Sequence, residues 1–158
     1  GITLDLSQPD GQAILRRLAA QADLVIEAYA PGTLARWGLD YDALARQRPQ
    51  LVMTSLTPFG QTGPYAQYAA DDLTLLALGG FVIMMGYPDS MPTQAAGEQA
   101  YAMGNMFAAV GSMLAIVGAQ AGGEGQHVDI AIQECVTMAL ENAAQFYDLE
   151  KQIGRAHV

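Results

Sequence analysis

Residues 101–119 run for 19 positions without a charged side chain, and no other feature of the sequence limits the fold so strongly. Such a run must leave water. Its length approaches the roughly 20 residues that cross a bilayer, yet a continuous apolar run is equally the mark of a helix enclosed by protein. Two details favour the enclosed helix. Gly104, Ala108 and Ser112 recur every four residues, so one face is small enough for close approach of another element, and no Lys or Arg flanks either end as a membrane anchor would. The expectation is a central buried helix and no membrane partner.

Composition supports a packed core. Of the 158 residues, 51% are hydrophobic and 15% charged, which excludes intrinsic disorder and suits about one domain or a piece of one. Seven Lys+Arg stand against sixteen Asp+Glu, with a net charge of −9. With no basic run, neither nucleic acid nor an anionic membrane is expected as a partner. A phosphate-bearing ligand would have to be held by backbone N–H groups or by single basic residues. The single cysteine, Cys135, excludes a disulfide framework and a cysteine-ligated zinc site, and points to a reducing, cytoplasmic setting.

Short apolar runs alternate with amphipathic ones. Residues 2–6 read as a strand; Ser7-Gln8-Pro9-Asp10 then supplies an N-cap and an early proline for a helix through Ile14, Leu15, Leu18 and Ala19. Strands are expected at 23–27, 51–56 and 127–132. Helices are expected at 33–37, 41–46, 72–82, 101–119 and 133–152. This order predicts an α/β fold, a Rossmann-like parallel sheet with crossover helices. Ligands of such sheets sit at the carboxyl ends of strands, which directs attention to the loops after Ile26 and Leu56. The second, between Pro58 and Asp72, is long and rich in Gly, Pro and Tyr, as functional loops often are. Another turn-rich loop spans 86–97.

The two ends read differently from the middle. Gly1 precedes a strand already in progress, so the chain is expected to start inside a larger domain. Residues 153–158, Ile-Gly-Arg-Ala-His-Val, match a translated sequencing adapter and are expected to be an artefact, leaving 1–152 as a partial domain. Without Arg155 the balance is six basic against sixteen acidic residues, a net −10, and His157 is kept out of any site.

Pattern alone assigns no catalytic residue. There is no GxGxxG, Walker loop, GxSxG elbow or HExxH, and no metal site is expected. His127 reads as a half-exposed strand residue rather than a base, and Cys135, near a helix start, as a small buried hydrophobe rather than a low-pKa thiol. The adjacent Asp71 and Asp72 look like a helix cap rather than an acid/base couple. Arg36 is the one basic residue near a strand-end loop, where an ordinary surface arginine is the plainer reading.

Four segments change this picture: Glu27-Ala28-Tyr29-Ala30-Pro31-Gly32-Thr33-Leu34-Ala35-Arg36-Trp37-Gly38-Leu39; Ser55-Leu56-Thr57-Pro58-Phe59-Gly60-Gln61-Thr62-Gly63-Pro64-Tyr65; Gly86-Tyr87-Pro88-Asp89 with Met91-Pro92-Thr93; and Gly123-Glu124-Gly125-Gln126-His127-Val128-Asp129. In this order they resemble the family III CoA-transferases, the carnitine and bile-acid CoA-transferase group, over nearly the whole chain. The resemblance implies part of the large domain of an interlocked dimer and transfer of CoA from an acyl-CoA to a carboxylic acid. It implies an aspartate nucleophile, attacking a thioester and passing through an anhydride and an aspartyl-CoA thioester, with coenzyme A as substrate and no covalently bound cofactor.

Matching positions residue by residue exposes departures. The family's aspartate, 21 residues after Gly80 and ten before Gly111, falls on Tyr101. A phenol with an ordinary pKa near 10 is protonated at neutral pH and cannot replace it. The nearest carboxylate along the chain is Glu98. CoA contacts carry over to Ala28, Tyr29, Thr33, Arg36, Gly60 and Gln61: Tyr29 can flank adenine and Arg36 can bind phosphate. Ala28 replaces an amide, Ala30 a frequent arginine, and Ala69 a lysine of some members. The resemblance therefore implies a subunit lacking the nucleophile, paired with a homologous subunit that supplies it. A stand-alone CoA-ester binder is the alternative, and a local slip that lets Asp72 or Glu98 serve is another. The α-methylacyl-CoA racemases, a sister group, are matched less well, because their catalytic histidine falls on Asp71 and their aspartate on Tyr101, so both bases differ.

Overall fold

The computed structural model describes residues 1–87 and 89–151; the expected adapter segment, 153–158, lies outside the described residues. Three parallel strands form the sheet, β1 (Leu24–Glu27), β2 (Val52–Thr57) and β3 (His127–Ala131), in the order β1-β2-β3. The register pairs Glu27 with Ser55 and Ser55 with Asp129. Parallel neighbours need crossovers: α2 (Thr33–Arg36) and α3 (Tyr41–Ala45) lie between β1 and β2, while α4 (Asp72–Leu78), α5 (Phe81–Met84) and α6 (Gln99–Gln120) lie between β2 and β3. An N-terminal helix, α1 (Pro9–Ala19), precedes the sheet, and α7 (Ile132–Met138) and α8 (Glu141–Glu150) follow it. The expected parallel α/β sheet is present.

The central strand β2 is buried almost throughout, between two apolar clusters, whereas β1 and β3 keep exposed positions such as Ile26, His127 and Asp129. One cluster joins Ala19, Leu34, Leu39, Leu44, Leu51 and Met53; the other joins Leu75, Leu76, Ala100, Ile132 and Val136. Each fully enclosed leucine stabilises the fold by about 1.5–3 kcal/mol. Helix α6 reaches the sheet through its small face. Thr54 Oγ1 and Ser112 Oγ lie 2.6 Å apart in the core, and Ser112 Oγ donates to the Ala108 carbonyl, so the Thr54 hydroxyl is left to donate to Ser112. A Cβ on Gly104 would lie 2.9 Å from Ile132; glycine lets the backbones approach.

Four expectations need correction. Residues 2–6 pair with no strand among the described residues: Asp5 Oδ1 accepts the Ser7 N–H at 2.9 Å, a local turn that competes with a ladder, and Ile2 is exposed. The helix expected over 72–82 breaks at Gly79-Gly80. Gly80 is left-handed at φ 88°, and a Cβ on Gly79 would fall 2.4 Å from Val136 Cγ1, so close packing against α7 ends α4 there. The last helix also divides, with Leu140 leaving helical geometry; its side chain comes within packing distance of Gly80. Finally, α6 is long and apolar enough to cross a membrane, but it is buried along one face only. Ala100, Gly104, Ala108, Ser112, Ala115 and Ala119 face the core, whereas Met106, Val110, Met113, Leu114 and Val117 are exposed. The small residues determine which side the sheet covers; no described element covers the other.

Candidate functional site

The loop leaving β1 is shaped by local bonds. Glu27 Oε2 accepts the Tyr29 N–H at 2.8 Å, turning the chain as the strand ends. Gly32, left-handed at φ 81°, then opens α2, a conformation that a Cβ would oppose. Thr33 is buried and its hydroxyl accepts from Arg36 Nη2 at 3.1 Å. Arg36 is exposed and, among the described residues, forms no ion pair. Tyr29 stands edge-on to Trp37, with centroids 5.7 Å apart and planes at 81°, which fixes the ring while leaving it 44% exposed. Ala28 is exposed. An oriented aromatic and an unpaired guanidinium thus face solvent beside the carboxyl end of β1, a combination suited to a flat ring and an anionic group.

The loop after β2 meets the first one. Gly60 is buried and left-handed at φ 82°, and a Cβ there would touch Ala131 and the Asp129 carboxylate. The Gln61 N–H donates to both Asp129 oxygens, at 3.1 and 2.9 Å, tying this loop to β3. Gln61 also lines a cavity of about 60 Å³ with Glu27, Tyr41, Ser55 and His127. There His127 Nε2 lies 2.8 Å from Ser55 Oγ, and its ring stacks on Tyr41 at 5.5 Å. Partial burial, reinforced by Glu124 and Asp42, pushes the Tyr41 phenol pKa up. His127 is an exposed strand residue, as its pattern predicted, although its hydroxyl and ring partners are legible only in three dimensions. Between the two loops runs a groove of about 260 Å³ lined by Ala30, Pro31, Pro58, Ala66, Tyr68 and Ala69 among others. Tyr65 bridges Phe59 and Tyr68 beside it.

Position 101 lies in different surroundings. Tyr101, in the first turn of α6, packs against the cluster of Leu75, Leu76, Ala100, Ile132 and Val136, together with Leu56 and Phe59 from the end of β2 and its loop. The two aspartates expected as a cap divide between two helices. Asp71 Oδ1 accepts from Thr74 N and Oγ1 at 2.8 and 2.6 Å and caps α4; these bonds hold its carboxyl below the ordinary range. Asp72, buried, accepts the Ala100 N–H of α6 at 2.8 Å. That second tie is absent from any sequence spacing; an Asp-Asp pair where one cap suffices is the signal that could have suggested it. Glu98 precedes α6, exposed and without a side-chain cap bond. Cys135 is buried, and desolvation, with Glu134 adding, pushes its thiol pKa up, which fits the inert role expected of it. No cluster of metal-binding side chains occurs among the described residues.

The sequence profile of CoA-transferase family III matches residues 1–157. The chain belongs to that family. Among curated proteins, it is 48% identical over 155 residues to subunit BbsE of the succinyl-CoA:(R)-benzylsuccinate CoA-transferase of Thauera aromatica, covering 98% of this chain and 38% of that one. It is 31% identical over 157 residues to the beta subunit of the succinyl-CoA–L-malate CoA-transferase of Chloroflexus aurantiacus, covering 99% and 39%. A crystal structure of a CaiB/BaiF family protein from Brucella suis superposes with a TM-score of 0.92 at 35% identity, over 98% of this chain and 41% of that one. The chain thus spans about two fifths of the length of these relatives.

Proposed function

We propose that this chain is the CoA-binding part of a family III CoA-transferase subunit whose reaction depends on an aspartate from a homologous partner subunit. The observation that carries the reading is Tyr101. The position matched to the family's nucleophile is a phenol packed into an apolar cluster, and a protonated phenol cannot open a thioester as a carboxylate does. Neither neighbouring carboxylate replaces it readily: Asp72 is engaged by the Ala100 N–H, and Glu98 is exposed outside the helix. Two of the relatives described above are themselves named as subunits. A multisubunit enzyme can distribute binding and chemistry between homologous chains.

In the reaction so divided, a partner aspartate oxygen attacks the thioester carbonyl and the C–S bond breaks, giving an acyl-aspartyl anhydride and CoA thiolate. The thiolate then attacks the aspartyl carbonyl, releases the first acid and leaves an aspartyl-CoA thioester. The acceptor acid repeats both steps in reverse order. Throughout, CoA has to be kept in place between its departure and return, and holding it is the role assigned to this chain. Tyr29 supplies a face for adenine and Arg36 a bidentate donor for phosphate. Thr33 orients Arg36, while Gly60 and Gln61 shape the opposing loop. Ala28, Ala30 and Ala69 contribute no charge or amide, so the grip relies on few polar contacts. A reducing cytoplasm suits both the thiol substrate and the buried Cys135.

The test is to express the full-length protein alone and with its homologous partner, supply succinyl-CoA, and trap enzyme-bound thioester with hydroxylamine. Adduct is expected only on the partner in the pair. Adduct on the full-length protein alone would overturn the proposal, and CoA binding without activity in any pairing would favour the stand-alone binder.

A further inference from the structure

Asp72 combines two observations that helix capping alone does not explain. It opens α4, yet Asp71 already caps that helix through Thr74. The Asp72 side chain is instead buried, 9% exposed, and its Oδ1 reaches 28 residues along the chain to accept the N–H of Ala100 at 2.8 Å. Its other oxygen, Oδ2, is buried with no hydrogen-bond partner. A carboxylate oxygen left without a donor in the interior is costly, and such groups in native folds call for an explanation. Ala100, fully buried, immediately precedes position 101 in the first turn of α6, and Glu98 contributes no side-chain cap there.

We propose that Asp72 is a positioning residue: it caps α6 from another element and thereby fixes the depth and orientation of residue 101 in the site. The inference rests on the reading of position 101 given above. A carboxylate at a helix start satisfies an otherwise unpaired N–H and complements the helix dipole, and anchoring it on α4 couples the two helices through one bond. The side chain at 101 is then held against the cluster formed by α4 and α7 whatever its chemistry, tyrosine here or aspartate in a catalytic subunit. The bond needs only an acceptor oxygen, so asparagine can supply it and alanine cannot.

The test uses the full-length protein carrying Tyr101→Asp, incubated with succinyl-CoA and followed by hydroxylamine-sensitive adduct formation and by hydrogen exchange of amides 99–102. Adding Asp72→Ala is expected to slow adduct formation at least tenfold, leave the half-saturating succinyl-CoA concentration within twofold, and speed exchange of those amides at least tenfold. Asp72→Asn is expected to restore both. Unchanged exchange in the alanine variant, or an asparagine variant as impaired as the alanine one, overturns the positioning role. If Tyr101→Asp forms no adduct with Asp72 intact, the reading of position 101 fails, while the exchange comparison still decides whether Asp72 anchors the turn.

Discussion

The loop after β1 carries the residues matched to the family's CoA contacts and the first turn of α6 the position matched to its nucleophile, and the two regions are built in opposite ways. The loop is exposed and organised over a few residues: Glu27 bonds the Tyr29 N–H, Arg36 bonds Thr33, and Tyr29 leans on Trp37. The α6 turn is partly enclosed and organised over long distances, with Asp72 holding the buried Ala100 and Tyr101 packed against side chains from α4 and α7. A change in the first region alters what the surface can bind at little cost to the fold, so alanines at 28 and 30 are tolerated. A change in the second must also pack. Tyrosine satisfies that demand because its ring joins an apolar cluster, but it does so without the chemistry of a carboxylate.

This contrast yields expected outcomes of decreasing size, all in the full-length protein. The largest lies where the α4 and α7 helices that support the α6 turn meet: Gly79→Ala drives a Cβ into Val136 and should cost about 1–3 kcal/mol by overpacking, seen as a lower midpoint in urea. An unchanged midpoint would show that α4 and α7 adjust freely, and the contrast would break. Next, Arg36→Ala should weaken CoA binding about tenfold or more by calorimetry, the loss of one charged hydrogen bond, with stability within about 0.5 kcal/mol of the parent. Loss of stability instead of affinity would make Arg36 a structural residue. Tyr29→Ala should weaken CoA about fivefold, at the low end of aromatic–base stacking, whereas Tyr29→Phe should retain binding; equal losses would assign the effect to the hydroxyl. The smallest concerns Asp71. Its carboxyl pKa is lower folded than unfolded, through Thr74, so its stabilisation is complete above the unfolded value and disappears as pH falls through the folded one. The melting difference between the parent and Asp71→Asn should therefore be largest near neutrality and close in acid; a gap persisting at low pH would remove the ionic cause.

Legibility from sequence follows the same division. Strands over 23–27, 51–56 and 127–132 were readable because β-branched and apolar residues cluster between turn formers, and each appears within a residue or so of its expected bounds. As CoA contacts, Thr33 and Arg36 were reachable only through the family resemblance, and the bond between them, like the Tyr29–Trp37 contact, was not legible in their spacing. The Gly79-Gly80 break was present in the sequence but not decisive, since a glycine ends a helix only where something packs against it, here Val136. The Ser55–His127 and Gln61–Asp129 contacts join residues 72 and 68 positions apart, beyond any local pattern.

Taken by itself, the sequence determined the three strands of the parallel sheet and the crossovers between them, the family through its four motifs, and the absence of an aspartate at position 101. These depend on residue identity and on spacings within a few turns of chain. Only the tertiary structure decided which face of the uncharged helix is buried, that Asp71 and Asp72 cap different helices, and that Tyr101 belongs to an apolar cluster. Each of those depends on where a distant element passes, because burial and hydrogen-bond partners are properties of proximity in space, and proximity is set only when the parallel sheet brings the crossovers together.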